Sequence, residues 1–385
     1  MYFSLAFFLI YAAYAAINPY LPILLRLSGY SPSAVGILMG ILEGAGIAGP
    51  FIFGHFADKW GRYKPGLIIT HIMILLTLIP LTVFRGPLIA GLLMIVMGVG
   101  FRSAFPLLDA VVTLNIGPAG NYGRVRTAGS VGFVLMMLFL QITPFLRPDN
   151  PANIAWWMAI TTTLALVSML FIPGNDTNAG GRVFSAAPGR RRGGSIRTPL
   201  LIIGLLIIAI SRLSMASINS FFSLFLVEYM GWNAVGFMWA LASVSEVPFM
   251  FLSRRLIGRF GALPILTVSA AMVTARLSIY ALFPYKGGVI IAQLLHSICY
   301  GLFHPAAVAF ISGNVPPERR ALGMSLYLSL GSGLPNLLGS ILGGFIIDHM
   351  GYRALFGIFA LFPVLAVGLY GLLIFIAKNP RRGYP

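Results

Sequence analysis

Gly54-His55-Phe56-Ala57-Asp58-Lys59-Trp60-Gly61-Arg62-Tyr63-Lys64 is a short charged turn set between two long apolar runs. Residues 33–56 run into it and residues 66–84 follow it. Each run matches the ~30 Å hydrocarbon core of a bilayer, which takes about 20 apolar residues in helical form. A turn that collects Asp58, Lys59, Arg62 and Lys64 between two such runs reads as the return loop of a membrane hairpin. Gly54 and Gly61 permit close backbone approach and a tight turn.

The rest of the chain repeats this pattern. Of 385 residues, 58% are hydrophobic and only 9% are charged, whereas a soluble domain carries about 25% charged residues. That composition excludes a cytosolic enzyme, a disordered tail protein and a secreted disulfide scaffold. The apolar runs are continuous rather than alternating, which excludes a porin-type barrel. Cys299 is the single cysteine, so an internal disulfide and a CxxC metal site are excluded. Twelve spans are expected near 2–25, 33–56, 66–84, 87–112, 126–146, 153–172, 199–227, 233–253, 263–283, 288–313, 321–347 and 354–377. The run from Tyr2 lacks a positive n-region and reads as a first membrane helix rather than a cleavable signal.

The 26 basic residues test this count. With even-numbered connections and the C-terminus on one side, that side holds 18 and the other holds 5. Arg102, Arg212 and Arg276 remain inside spans. The bias predicts that both termini are cytoplasmic. It also explains the net charge of +17 by location, so no nucleic acid is expected as a partner. The connection 173–198, PGNDTNAGGRVFSAAPGRRRGGSIRT, reads as a flexible cytoplasmic linker. Its Arg190-Arg191-Arg192 run suits an anchor beside anionic lipid. The linker divides the chain into six-helix bundles at 1–172 and 199–385.

The 54–64 loop resembles the signature loop of the major facilitator superfamily, G-x-x-x-D-x-x-G-R-[KR]-x. A weaker echo without the aspartate lies at Arg254-Arg255-Leu256-Ile257-Gly258-Arg259-Phe260-Gly261. Asn18-Pro19-Tyr20-Leu21-Pro22, Pro106-Leu107-Leu108-Asp109-Ala110, the run from Gly123 to Phe133, and Gln293 to His304 are similar to the phenylpropionate permease family. That family is a relative of lactose permease and of nucleoside:proton symporters. The resemblance implies an all-α membrane transporter of two six-helix bundles working by alternating access. It implies that Gly54, Asp58, Gly61 and Arg62 form a cytoplasmic gating motif.

Ionisable residues inside spans cost at least about 3 kcal/mol each and are functional candidates by default. The acids are Glu43, Asp109 and Glu246, and the bases are Arg102, Arg212 and Arg276, with His71, His296 and His304 beside them. Arg102 and Asp109 stand seven residues apart on one helix face. Gln293, His296, Tyr300 and His304 recur at three- and four-residue steps and form a polar stripe. By resemblance to lactose permease, Asp109 and Arg126 fall close to its sugar-holding pair, with the acid offset by one residue. Gln293, His296 and Cys299 fall at its lysine, histidine and proton-carrying glutamate, and Arg276 at its arginine. That glutamate is missing here, so the proton site is expected at Glu246, Asp109 or His296 itself.

The expected substrate-binding residues are Arg102, Asp109, Arg126, Asn219, Arg276 and Gln293. Aromatic residues of the first, seventh and eighth spans, among them Tyr11, Tyr14, Phe221 and Trp239, suit a ring-bearing solute. The resemblance implies uptake by proton symport of a small, aromatic carboxylic acid, and a sugar or nucleoside stands as the alternative. A non-transporting membrane sensor on the same fold is the alternative of a different class. HExxH, GxSxG and a Walker A loop do not occur, so no enzyme activity, metal or cofactor is expected. The expected partners are the solute, H+ and membrane lipid. The chain is expected to act as a monomer in the cell inner membrane.

Overall fold

The computed structural model describes residues 2–116, 122–173, 199–316 and 319–378, and the regular elements within them are helical. Eleven are long and apolar enough to cross a membrane. They are α1 (Tyr2–Leu27), α2 (Pro32–Trp60), α3 (Lys64–Val83), α4 (Pro87–Ile116), α5 (Tyr122–Ile142), α6 (Pro151–Leu170), α7 (Pro199–Tyr229), α8 (Val235–Phe260), α9 (Ala262–Leu282), α10 (Lys286–Asn314) and α11 (Leu322–Phe375). The expected linker lies outside the described residues from position 174 onward.

Local chemistry sets the ends of these helices. Ser31 caps α2 by accepting from the Ala34 N–H at 3.2 Å, and Pro32 occupies the first turn, where no donor is needed. Gly61 ends α2 in the left-handed region at φ 65°, which a side chain would strain. Gly261 precedes α9 with a positive φ of 89° but an extended ψ of 158°, so the two loops share a glycine at the turn and differ in backbone conformation. The fifth helix begins four residues before its expected start at 126 and stops at Ile142, ahead of Pro144, which cannot continue it. The last two expected spans form one element of 54 residues, broken at Gly351, where the backbone is non-helical at φ 80° and ψ 176°.

Contacts divide the chain into two compact units. The first holds the described part of Met1–Ala187 with Ile218–Ala240 and Ser340–His349. In it α2 packs on α4, α1 on α5 and α6, and α3 on α4 and α6. Glycine makes the α2–α4 seam close: a Cβ on Gly49 would stand 2.6 Å from the Val99 carbonyl oxygen. The second unit holds the described parts of Pro188–Ser217, Leu241–Gly339 and Met350–Pro385. Its core joins Ile207, Leu266, Phe303, Ala306 and Tyr327. Large apolar side chains such as Leu76, Leu88 and Phe251 are exposed, as a lipid-facing surface requires.

Candidate functional site

The intramembrane charges fall into separate clusters. In the first unit Arg102 of α4 pairs with Glu43 of α2 and hydrogen-bonds Tyr14 of α1. Gly46, one turn beyond Glu43, leaves the space that the Arg102 stem fills: its Cβ would stand 3.0 Å from that of Arg102. Tyr14 stacks on Phe101 with ring centroids 5.2 Å apart and meets Phe105 edge-on. The glycine-flanked acid and the arginine are therefore partners across a helix seam.

Asp109 shares a helix with Arg102 but takes other partners. It accepts from the Tyr122 hydroxyl, and Arg126 approaches it at 3.4 Å while donating to Tyr122 at 2.9 Å. Asp109 and Arg126 thus meet each other, and both keep partial exposure. Asn219 of α7 is half-buried in the first unit beside Ser220, which pairs with Ser340 at 2.7 Å. In the signature loop Tyr63 donates to Asp58. Gly54 is buried and Arg62 is exposed. Lys64 donates to the carbonyls of Leu170 and Ile172 at 2.8 and 2.6 Å, holding the loop to the C-terminal end of α6. A cation suits a helix end rich in unsatisfied carbonyls. His71 bonds the Leu67 carbonyl of its own helix at 2.8 Å and serves as a core residue.

The second unit contains the most connected cluster. Arg276 of α9 is 1% exposed. Its Nε donates to the Tyr280 hydroxyl at 3.1 Å and one terminal nitrogen donates to Gln293. The other terminal nitrogen meets His296 Nδ1 at 2.5 Å. Tyr280 also donates to Gln293 at 2.9 Å. His296 Nε2 lies 2.7 Å from Glu246 Oε1, which reaches over from α8. A guanidinium has donors only, so His296 Nδ1 must accept from Arg276. The imidazole proton then sits on Nε2 and points at the Glu246 carboxylate. The chain Arg276–His296–Glu246 has one consistent hydrogen-bond polarity.

The π-helical turn Ser297–Leu302 follows directly in α10 and swings Tyr300 into a stack on His296, with centroids 5.3 Å apart. The guanidinium of Arg212, on α7, lies 4.9 Å from the Tyr300 ring and 5.0 Å from the Phe303 ring. His304 meets the Tyr327 hydroxyl at 2.9 Å. The sequence reading named neither Tyr122 nor Tyr280. Each stands four residues from its arginine on the same helix, a spacing that brings side chains together and marks both. Tyr327 carried no such signal.

The MFS_1 like family model matches residues 1–358. The chain belongs to the major facilitator superfamily. Among relatives, it is 27% identical over 390 residues to the maltose permease of Geobacillus stearothermophilus, covering 98% of this chain and 95% of that one. It is 25% identical over 407 residues to the probable 3-phenylpropionic acid transporter of Escherichia coli (strain K12), covering 94% of each. A crystal structure of a mutant of the nucleoside transporter NupG matches with a TM-score of 0.81 at 16% identity, covering 97% of this chain and 98% of that one. That likeness carries the fold. As a member of this superfamily the chain is a multi-pass membrane transporter of small solutes and not an enzyme.

Proposed function

We propose that the protein is a proton symporter that takes up a small carboxylic acid bearing a ring, by alternating access, in the cell inner membrane. Twelve crossings follow if α11, 54 residues long and broken at Gly351, is counted as two. The basic-residue bias then sets both termini in the cytoplasm. A monomer suffices, with Gly54, Asp58, Gly61 and Arg62 as the gating loop.

One observation carries the coupling: the Glu246–His296–Arg276 chain. Adding a proton to His296 Nδ1 would set an imidazolium against Arg276, so the imidazole stays neutral. The proton is received at Glu246, and His296 reports its arrival to Arg276 by shifting its hydrogen bonds. Asp109, held by Tyr122 and Arg126, is an acid already in service as an ion-pair partner. Arg276 and Gln293 of the second unit, and Arg102, Asp109, Arg126 and Asn219 of the first, are the polar residues proposed to contact the solute.

The experiment is uptake into proteoliposomes with an imposed inward proton gradient, screening aromatic acids, sugars and nucleosides. Accumulation of an acid that collapses with a protonophore supports the reading. Glu246→Gln is expected to abolish accumulation while retaining exchange of solute for solute. Accumulation indifferent to the protonophore overturns symport. The maltose permease relative favours a second reading, a proton-coupled sugar symporter with the same Glu246 site. Gradient-driven uptake of a sugar and of no acid would select it.

A further inference from the structure

We infer that Arg212 is the residue that receives the substrate's carboxylate and so decides between acids and neutral solutes. This rests on the reading of the protein as a solute transporter and deepens its substrate class.

Arg102, Arg212 and Arg276 lie well inside their helices, away from the ends, and two of the three are accounted for. Arg102 is neutralised by Glu43. Arg276 is tied to Tyr280, Gln293 and His296, with the Glu246 carboxylate at the far side of that histidine. Arg212 differs from both. It is 6% exposed, yet its neighbours are the rings of Tyr300 and Phe303 and the hydroxyls of Tyr327 and Tyr300. No carboxylate among the described residues pairs with it, which is what separates it from Arg102; its buried Nε, like that of Arg102, has no hydrogen-bond partner there. Arginine cannot shed its proton, so the charge persists.

Ring faces and hydroxyls soften a buried cation but do not neutralise it. A buried charge of this kind calls for a counter-ion, and a carboxylate matches the guanidinium fork with two parallel hydrogen bonds. The surrounding rings suit an aryl group attached to that carboxylate. Charge counting points the same way. The membrane-embedded set of the second unit holds Arg212 and Arg276 against Glu246 alone, with His296 neutral, which leaves one positive charge to be matched. Arg212 also acts electrostatically on His296, so the anion subsite and the proton chain share one field.

The test is calorimetric binding to the purified full chain in lipid nanodiscs, using 3-phenylpropionate and its neutral primary amide as probes. The wild type is expected to bind the acid more tightly than the amide. Arg212→Gln is expected to weaken the acid by about 10- to 100-fold, the range for losing one charged hydrogen-bonded partner, and to leave the amide unchanged. Arg212→Lys should fall between, because an ammonium keeps the charge but loses the fork. The amide comparison on the wild type needs no variant, so it decides even if Arg212→Gln fails to fold. Equal binding of acid and amide, or an Arg212→Gln protein with wild-type affinity for the acid, overturns the assignment. If the wild type accumulates the acid with a proton gradient while Arg212→Gln binds it normally, only Arg212 falls. If the wild type binds no carboxylate, the acid class falls with it.

Discussion

Arg276 divides one guanidinium among Tyr280, Gln293 and His296, and it is this sharing that makes the cluster rigid. Arg276→Leu would leave a phenol, an amide and an imidazole buried without their common donor. Removing one member of such a buried charged network costs about 3–5 kcal/mol, so a clear fall in the thermal unfolding temperature in detergent is expected. Arg276→Lys keeps the charge but cannot serve three partners in fork geometry, and its loss should be smaller yet measurable. The sequence reading had already placed Arg276, Gln293 and His296 near one another. The direction of the hydrogen bonds came only from the structure, because it depends on which imidazole nitrogen faces which neighbour. Gly61 makes a second residue-scale point. Its left-handed conformation costs a side-chain-bearing residue roughly 1–2 kcal/mol, so Gly61→Ala should lower the unfolding temperature modestly.

At the scale of elements, glycine spacing and charge placement act together. Gly46 lies on α2 where the Arg102 stem crosses from α4 to Glu43. Gly46→Leu would fill that space, and overpacking of this kind costs about 1–3 kcal/mol. It should also break the Arg102–Glu43 pair, so the double variant Gly46→Leu with Glu43→Gln is expected to be less than additive when unfolding temperatures are compared. Gly46 and Gly49 give α2 a face without side chains, and α4 packs close against it. The partner was not legible. A seven-residue spacing put Arg102 and Asp109 on one face of α4, yet Arg102 turns to α2 while Asp109 turns to Tyr122 and Arg126 of α5. Residues on the same face but two turns apart meet different neighbouring helices, and sequence period says nothing of which helices those are.

For the whole molecule, binding of an anion and binding of a proton are linked through charge. Protonating Glu246 removes the one negative charge that balances Arg212 and Arg276, so the pull on a carboxylate rises. The groups facing Glu246 and its histidine are Arg276 from α9, Arg212 from α7 and Tyr300 from α10. Affinity for an aryl carboxylate should therefore be higher when residue 246 carries no charge, compared at one pH where the ligand is ionised. In Glu246→Gln, which mimics the protonated state, the affinity should be high and flat with pH. Linkage is reciprocal, so the acid must also draw protons onto the wild-type protein as it binds, a proton uptake that calorimetry in two buffers reads directly. Equal affinity in the wild type and Glu246→Gln would detach Glu246 from the solute site.

Composition, span length and the distribution of basic residues were enough to establish a multi-pass helical membrane protein, because a bilayer imposes one length and one polarity on every helix that crosses it. The signature loop at 54–64 was enough for the superfamily, since its glycines and charges are a local arrangement of consecutive residues. The candidate charges were nominated by the sequence, as any ionisable group in an apolar span stands out. Tertiary structure alone decided their partners: Arg102 with Glu43, Asp109 with Tyr122 and Arg126, Glu246 with His296, and Arg212 among aromatic rings. Such pairings depend on the rotation and neighbours of separate helices, and those are set by packing across the whole chain.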